Sequence, residues 1–230
     1  MKDSLLWLLL LVMQGALFAD EKRYSVAKVP SAMSVQEKKA RFYALVVPAV
    51  TSVYNDLMQQ YNDVATALKN PQATKKIAAL KRLYHVKSDA DLLIALKPHP
   101  PSITIAQAAM ESAWGTSRFF REANNIFGVH SANPNEPRVA AGEKKGKWRV
   151  WMRKFPDLKS SVAAYYKMMA TVPEYRAFKR MNYQGSDVYT MLKGLRAYSE
   201  RGDAYVKELG SMIRYNKLQK YDPKVAKAAG

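Results

Sequence analysis

Pro100-Pro101-Ser102-Ile103-Thr104-Ile105-Ala106-Gln107-Ala108-Ala109-Met110-Glu111-Ser112-Ala113-Trp114-Gly115-Thr116-Ser117 is the stretch on which the reading of the chain turns. Between Lys97 and Arg118, Glu111 is the only Asp, Glu, Lys or Arg. The whole chain is 24% charged, so twenty average residues would hold about five charges. Such depletion predicts a helix buried nearly all round, because charged groups stay out of interiors unless paired or functional. Helical phase places Ala106, Ala109, Met110 and Ala113 at i, i+3, i+4 and i+7 as the core stripe. Glu111 falls on the other side with Gln107, Ala108 and Gly115. A solvated face would carry several charges, and the bland alternative is an exposed surface glutamate. This face carries small residues and a Trp at i+3, which reads as the floor of a cleft. Desolvation there raises a carboxyl from roughly 4.3 towards 6, the range a general acid needs near neutrality.

The residues also carry a family resemblance. Pro100-Pro-Ser102, Ala106-Gln107-Ala-Ala-Met-Glu111-Ser112, Gly115 and Ser117, followed by Asn124-Asn125-Ile-Phe127-Gly128, resemble glycoside hydrolase family 73, the N-acetylglucosaminidases that cut peptidoglycan. Glu111-Ser-Ala-Trp-Gly-Thr-Ser-Arg-Phe119 and Tyr198-Ser-Glu-Arg-Gly-Asp-Ala-Tyr205-Val206 are most similar to its Bax-like members. The likeness runs from about residue 98 to 216, with two motifs in the right order and separation. It implies a lysozyme-like fold with Glu111 as catalytic acid.

Outward from that stretch, 230 residues at 48% hydrophobic content are ample for a sizeable core. Residues 1–19 combine Lys2, an apolar run from Leu5 to Met13, and Ala19 before the polar Asp20-Glu21-Lys22-Arg23. This layout is expected to be a secretory signal peptide, too short for a convincing membrane span. Asp3 weakens the positive charge and Leu17 is bulky for a cut after Ala19, so an uncleaved anchor is the alternative. With no cysteine there is no disulfide framework and no thiol chemistry. His85, His99 and His130 lack metal-pair spacing, so neither metal nor cofactor is expected. Lys and Arg number 37 against 19 Asp and Glu, a net +18, which favours anionic partners. For an exported chain, periplasmic or in the cell envelope, these are the anionic wall and membrane surface rather than nucleic acid. A monomer is the expected state.

From Ser34 to about Lys69 an apolar face of Phe42, Leu45, Val46, Val53, Leu57, Tyr61, Val64 and Leu68 predicts a long helix or a helix pair, kinked or split at Pro48. Helices over Thr74–Tyr84 and, capped by Ser88, up to Leu96 complete a helical N-terminal extension, 20–97. It reads as a buttress for a catalytic domain over 98–218, with a tail over 219–230.

After Glu111, Thr116 to Glu122 leads away from the catalytic helix. Adjacent Asn124 and Asn125 suit a sharp turn. The resemblance implies that this turn borders the sugar cleft, with Asn125 and Phe127 shaping it. Residues 129–156 are the least helical, with a hairpin of Arg138–Glu143 and Lys147–Phe155 turning at Lys144-Lys-Gly146. On its second strand Trp148, Val150 and Met152 alternate with Arg149, Trp151 and Arg153. The pattern fits a guarded edge strand or an aromatic sugar platform that includes Trp148, and basic-aromatic interleaving also suits single-stranded nucleic acid.

Glycoside hydrolysis usually needs a second carboxylate, which family 73 members often place in a hairpin lobe. Glu143 near the hairpin tip is favoured over Glu136, Glu122 and Asp157. The substrate's own acetamido group can replace it, as can 1,6-anhydro formation in a lytic transglycosylase. Helices are expected from Ser161 through Met169, Pro173 to Met181, Ser186 to Leu195, and from a cap at Asp203 through Ile213. The resemblance sets Tyr198 and Tyr205 beside the cleft, where a phenol could bond Glu111 or substrate. The reading is a mainly α, lysozyme-like hydrolase with a small hairpin lobe, acting on peptidoglycan glycan strands. Its alternatives are a transglycosylase and a non-catalytic wall-binding module.

Overall fold

The computed structural model describes residues 24–70, 74–142 and 149–223. The first helix, α1 (Val35–Ala67), runs uninterrupted. A capping box starts it: the Glu37 amide donates to Ser34 Oγ at 3.2 Å and the Ser34 amide to Glu37 Oε2 at 2.8 Å. Of the two expectations, a long helix or a helix pair, the chain takes the single helix, with Pro48 inside it. The proline sits on the outer side between buried Val46 and Val50, and the Ala44 carbonyl that loses a donor lies on the same outer face, one turn back.

Helices α2 (Thr74–Leu83) and α3 (Asp89–Leu96) follow, α3 capped by the Ser88 hydroxyl as anticipated. Then come α4 (Pro101–Glu111), α5 (Arg118–Ala123), strands β1 (Arg138–Ala140) and β2 (Trp151–Arg153), α6 (Leu158–Thr171), α7 (Arg176–Tyr183), α8 (Val188–Leu192) and α9 (Asp203–Tyr215). Short 3-10 turns precede α7 at Pro173–Tyr175, follow α8 at Lys193–Tyr198 and close the described chain at Leu218–Tyr221. The strands pair antiparallel with Val139 opposite Met152. They are shorter than expected, and the predicted hairpin tip, with Glu143 and Trp148, lies outside the described residues. Asp203 is the first residue of α9 rather than its cap; Gly202 takes the cap position, and Asp203 pairs with Arg196 at 2.9 Å.

Two apolar clusters organise the helices. The larger joins Phe42, Val46, Val50 and Val53 of α1 to Ile103 and Ile105 of α4, to Val162, Tyr165 and Met169 of α6, and to Leu209 and Ile213 of α9. The smaller packs Val64 from the far end of α1 with Ile77, Tyr84, Leu92 and Leu96. One 33-residue helix thus spans both cores. Helix α4 is buried from Pro101 through Ala109, as its lack of charge foretold. Its first turn is capped from a distance: Asp222 accepts from the Ser102 amide and hydroxyl, both at 2.7 Å.

Candidate active site

Glu111 is the last helical residue of α4. The chain does not continue the helix into Ala113 and Gly115, as the phase argument assumed. Ala113, Trp114 and Gly115 take φ values of 50°, 61° and 71°, three left-handed residues in a row. Ala113 is therefore exposed rather than part of the core stripe. For an L-residue this conformation costs about 1–2 kcal/mol, and surrounding contacts hold it. Ser112 Oγ donates to the Ala108 carbonyl at 2.5 Å and accepts the Gly115 amide at 2.8 Å. Trp114 packs edge-on against Phe42 and Tyr43, with ring centroids 5.3 and 5.8 Å away. The buried guanidinium of Arg41 donates to the Gly115 carbonyl at 2.8 Å and to the carbonyls of Ser25 and Val26 at 2.6 and 2.9 Å. Glu111 is thereby fixed at a helix end that α1 clamps from behind.

Glu111 is exposed to solvent, yet protein packed around its other side desolvates the carboxyl and raises it above the ordinary value; the Tyr205 hydroxyl and the charge of Arg201 partly offset the rise. Tyr205 Oη donates to Glu111 Oε1 at 3.3 Å and accepts from Gln107 Nε2 at 2.9 Å. Gln107 Oε1 in turn accepts from the Tyr165 hydroxyl. Tyr165 Oη lies 3.1 Å from His99 Nε2, and Thr104 Oγ1 lies 3.0 Å from the same nitrogen while donating to Tyr166. Both hydroxyls already donate elsewhere, so Nε2 carries the imidazole proton. Burial and the nearby Lys179 hold the His99 pKa well below its ordinary value, so the ring is neutral. Every donor in the series His99, Tyr165, Gln107, Tyr205 then points towards Glu111, an alignment in which each bond polarises the next.

The predicted residues divide accordingly. Tyr205 touches Glu111, and Tyr198 stacks on Tyr205 at 5.4 Å and 18°. Phe127 is buried and stacks on Tyr165 at 4.1 Å and 16°, supporting the polar series from the side. Asn125 does not face a cleft: it is 1% exposed, its amide donates to the carbonyls of Val129 and Arg153, and its Oδ1 accepts the Val129 amide. Its role is to pin the turn to β2. Asn124 is the left-handed cap of α5 and donates to the Phe155 and Pro156 carbonyls. Glu122 is paired with Arg118 at 2.9 Å, Glu136 with Arg153 at 3.2 Å, and Asp157 caps α6 through the Ser160 amide at 2.7 Å. Glu143 and Trp148 lie outside the described residues. Sequence reasoning placed Gln107 beside Glu111 but gave it no role; its signal was being the one amide in an apolar helix, four residues before the carboxylate. Arg41 had no such signal.

Residues 87–218 match the family described as mannosyl-glycoprotein endo-beta-N-acetylglucosaminidase, more than half of the chain. The chain belongs to this family. As a member of the endo-beta-N-acetylglucosaminidase family it is a glycoside hydrolase. It is 26% identical to Protein bax of Escherichia coli over 197 residues, 78% of this chain and 70% of that protein. A 51-residue stretch is 45% identical to the exo-glucosaminidase LytG of Bacillus subtilis, 20% of this chain and 18% of that one. The catalytic domain of the autolysin Auto from Listeria monocytogenes has a similar fold, with a TM-score of 0.52 and 21% identity over 84% of this chain and 92% of that domain. The endo-beta-N-acetylglucosaminidase match includes the Asn124-Asn125 turn as well as α4, Tyr198 and Tyr205, which meet at Glu111.

Proposed function

We propose that this glucosaminidase-family protein cleaves peptidoglycan at the β-1,4 bond on the reducing side of N-acetylglucosamine, with Glu111 protonating the leaving oxygen. The observation that carries the reading is the environment of Glu111. It is a carboxyl kept partly desolvated at a fixed helix end, with one oxygen held by Tyr205 and one side left to solvent. Such a group stays protonated to higher pH than a free glutamate and can meet a glycosidic oxygen from the open side. Glu143 is the proposed second carboxylate, because Glu122, Glu136 and Asp157 are each committed to a local partner. Tyr198 would offer its ring edge to the sugar next to Glu111. The net charge of +18 suits an anionic envelope, and export by residues 1–19 would deliver the enzyme there.

Lytic transglycosylase chemistry is the second reading, favoured by those same commitments, since it works with Glu111 alone. Mass spectrometry of borohydride-reduced fragments released from purified peptidoglycan decides between them. Reduced N-acetylglucosamine ends support the hydrolase, and anhydro-muramyl ends support the transglycosylase. Undiminished release by Glu111→Gln would overturn both.

A further inference from the structure

A pocket of about 290 Å³, lined by none of Glu111, Gln107, Tyr198 and Tyr205, lies where the loop after α2 meets α3, the end of α6 and α7. Its lining includes Lys87 from the loop and Arg176, Lys179 and Arg180 from α7. The last three stand at i, i+3 and i+4 and so share one helix face. Among the described residues the only carboxylate in the lining is Asp91, and its Oδ2 already accepts the Ser88 hydroxyl at 2.7 Å. Among the described residues none of the four cations forms an ion pair. Lys179 is 4% exposed, and its Nζ donates to the Lys97 carbonyl at 2.9 Å. Val86, Ile94 and Ala95 supply an apolar wall, which strengthens any charge pairing made against it.

Four cations converging on a small cavity repel one another, and the fold keeps them there with almost no internal counter-charge. We propose that this pocket is a binding site for a phosphoryl oxyanion, a phosphate mono- or diester, held by the Arg176 and Arg180 guanidinium groups at its mouth and by Lys179 at its base. Guanidinium forks match phosphate oxygens two at a time, and the volume suits a headgroup rather than a whole polymer. Burial pulls Lys179 down to about 7, so an anion placed against it favours the ammonium form. Around Lys179 stand Lys87, His85 and Asp91 in the lining, Arg176 and Arg180 on its own helix, and neutral His99 behind it; Lys167 of α6 is turned over the Tyr84 ring at 3.4 Å. Cations predominate, so an entering anion relieves repulsion. The inference does not depend on the role of Glu111.

The test is calorimetric titration of the full chain at pH 6.5 and low salt with inorganic phosphate and with glycerophosphoglycerol. Saturable one-site binding is expected, at least tenfold weaker in the double variant Arg176→Ser, Arg180→Ser, which should keep wild-type melting and wall hydrolysis. Lys87→Ser provides a second variant should the double one fold poorly, and a severalfold loss is expected there. The 13C shift of Lys179 Cε in labelled protein should report a raised pKa when glycerophosphoglycerol, whose own charge is constant, is added. Phosphatidylglycerol vesicles separate the sources. Variant-sensitive vesicle binding tighter than that of the soluble headgroup identifies a lipid, and soluble binding without vesicle binding identifies a free or polymer-borne phosphate. Equal affinity in wild type and both variants, or no saturable binding of either compound, overturns the proposal.

Discussion

The Tyr205 hydroxyl donates to Glu111 Oε1 at 3.3 Å while accepting from Gln107 Nε2 at 2.9 Å, so the proposed acid is joined to a buried series of aligned donors. A hydroxyl that donates to a carboxylate stabilises its charged form and lowers its pKa, here against the larger desolvation that raises it. Tyr205→Phe keeps the stack on Tyr198 and removes that donor. The Glu111 pKa should rise further, moving the basic limb of the kcat/KM profile to higher pH. Gln107 loses an acceptor as well, at a cost of about 1 kcal/mol in stability. A pH-rate profile beside thermal melts measures both, and an unmoved basic limb would contradict the assignment.

Glu111→Gln should lower turnover of purified peptidoglycan by about 100- to 10,000-fold, the range for loss of a general acid. Its effect on stability has a definite sign. The folded carboxyl titrates above its unfolded value, so the native state binds the extra proton in between. That contribution is fully present below the unfolded pKa and is lost as pH rises through the folded one. The amide carries no such dependence. Melting curves from pH 4 to 7 should show the variant gaining on the wild type as pH increases.

Lys179 behaves as the opposite case. Burial lowers it from 10.5 to about 7, so between those values the unfolded chain binds the proton that the folded chain has released. Stability from this group therefore rises with pH across the window from about 7 to 10.5. Lys179→Met should flatten that slope; the Lys97 carbonyl keeps the Asn182 amide as donor at 3.1 Å. Denaturant titrations at pH 7 and 9.5 give the comparison, and an identical slope in both proteins would sink the prediction.

Two glycines should respond to alanine with opposite signs. A Cβ on Gly194 would stand 2.7 Å from both the backbone nitrogen and the Cα of Phe178. Neither atom can turn aside, so Gly194→Ala should cost about 1–3 kcal/mol. On Gly210, inside α9, the nearest atoms are Leu192 Cδ1 at 3.5 Å and Tyr189 Cδ1 at 3.8 Å, ordinary contacts. Gly210→Ala should therefore stabilise by about 0.5–1 kcal/mol. Urea midpoints of the two single variants check the pair.

What the sequence revealed followed from local rules. The burial of α4 was legible because charge exclusion acts on each residue separately, and the Ser88 cap because capping involves residues three apart. The end of α4 at Glu111 was not legible. Ala113 and Trp114 carry no left-handed signal of their own, and their conformation is held by Phe42, Tyr43 and the Arg41 guanidinium about seventy positions earlier. Asn125 misled for a related reason. Its amide suits a turn or a ligand equally well, and only the nearby Arg153 carbonyl, 28 residues on, decides for the turn.

Helix α1 lies outside the segment that the family shares, which begins at residue 87, yet Phe42 and Val46 are wholly buried against its core. The portion recognised by descent and the portion able to stand as an object are therefore different lengths of chain. Transplanting the domain into another enzyme at the family boundary would carry over Glu111 and Tyr205 while leaving behind Arg41, the clamp on the turn after Glu111. A recombination meant to keep that clamp on the turn has to move the first helix with it.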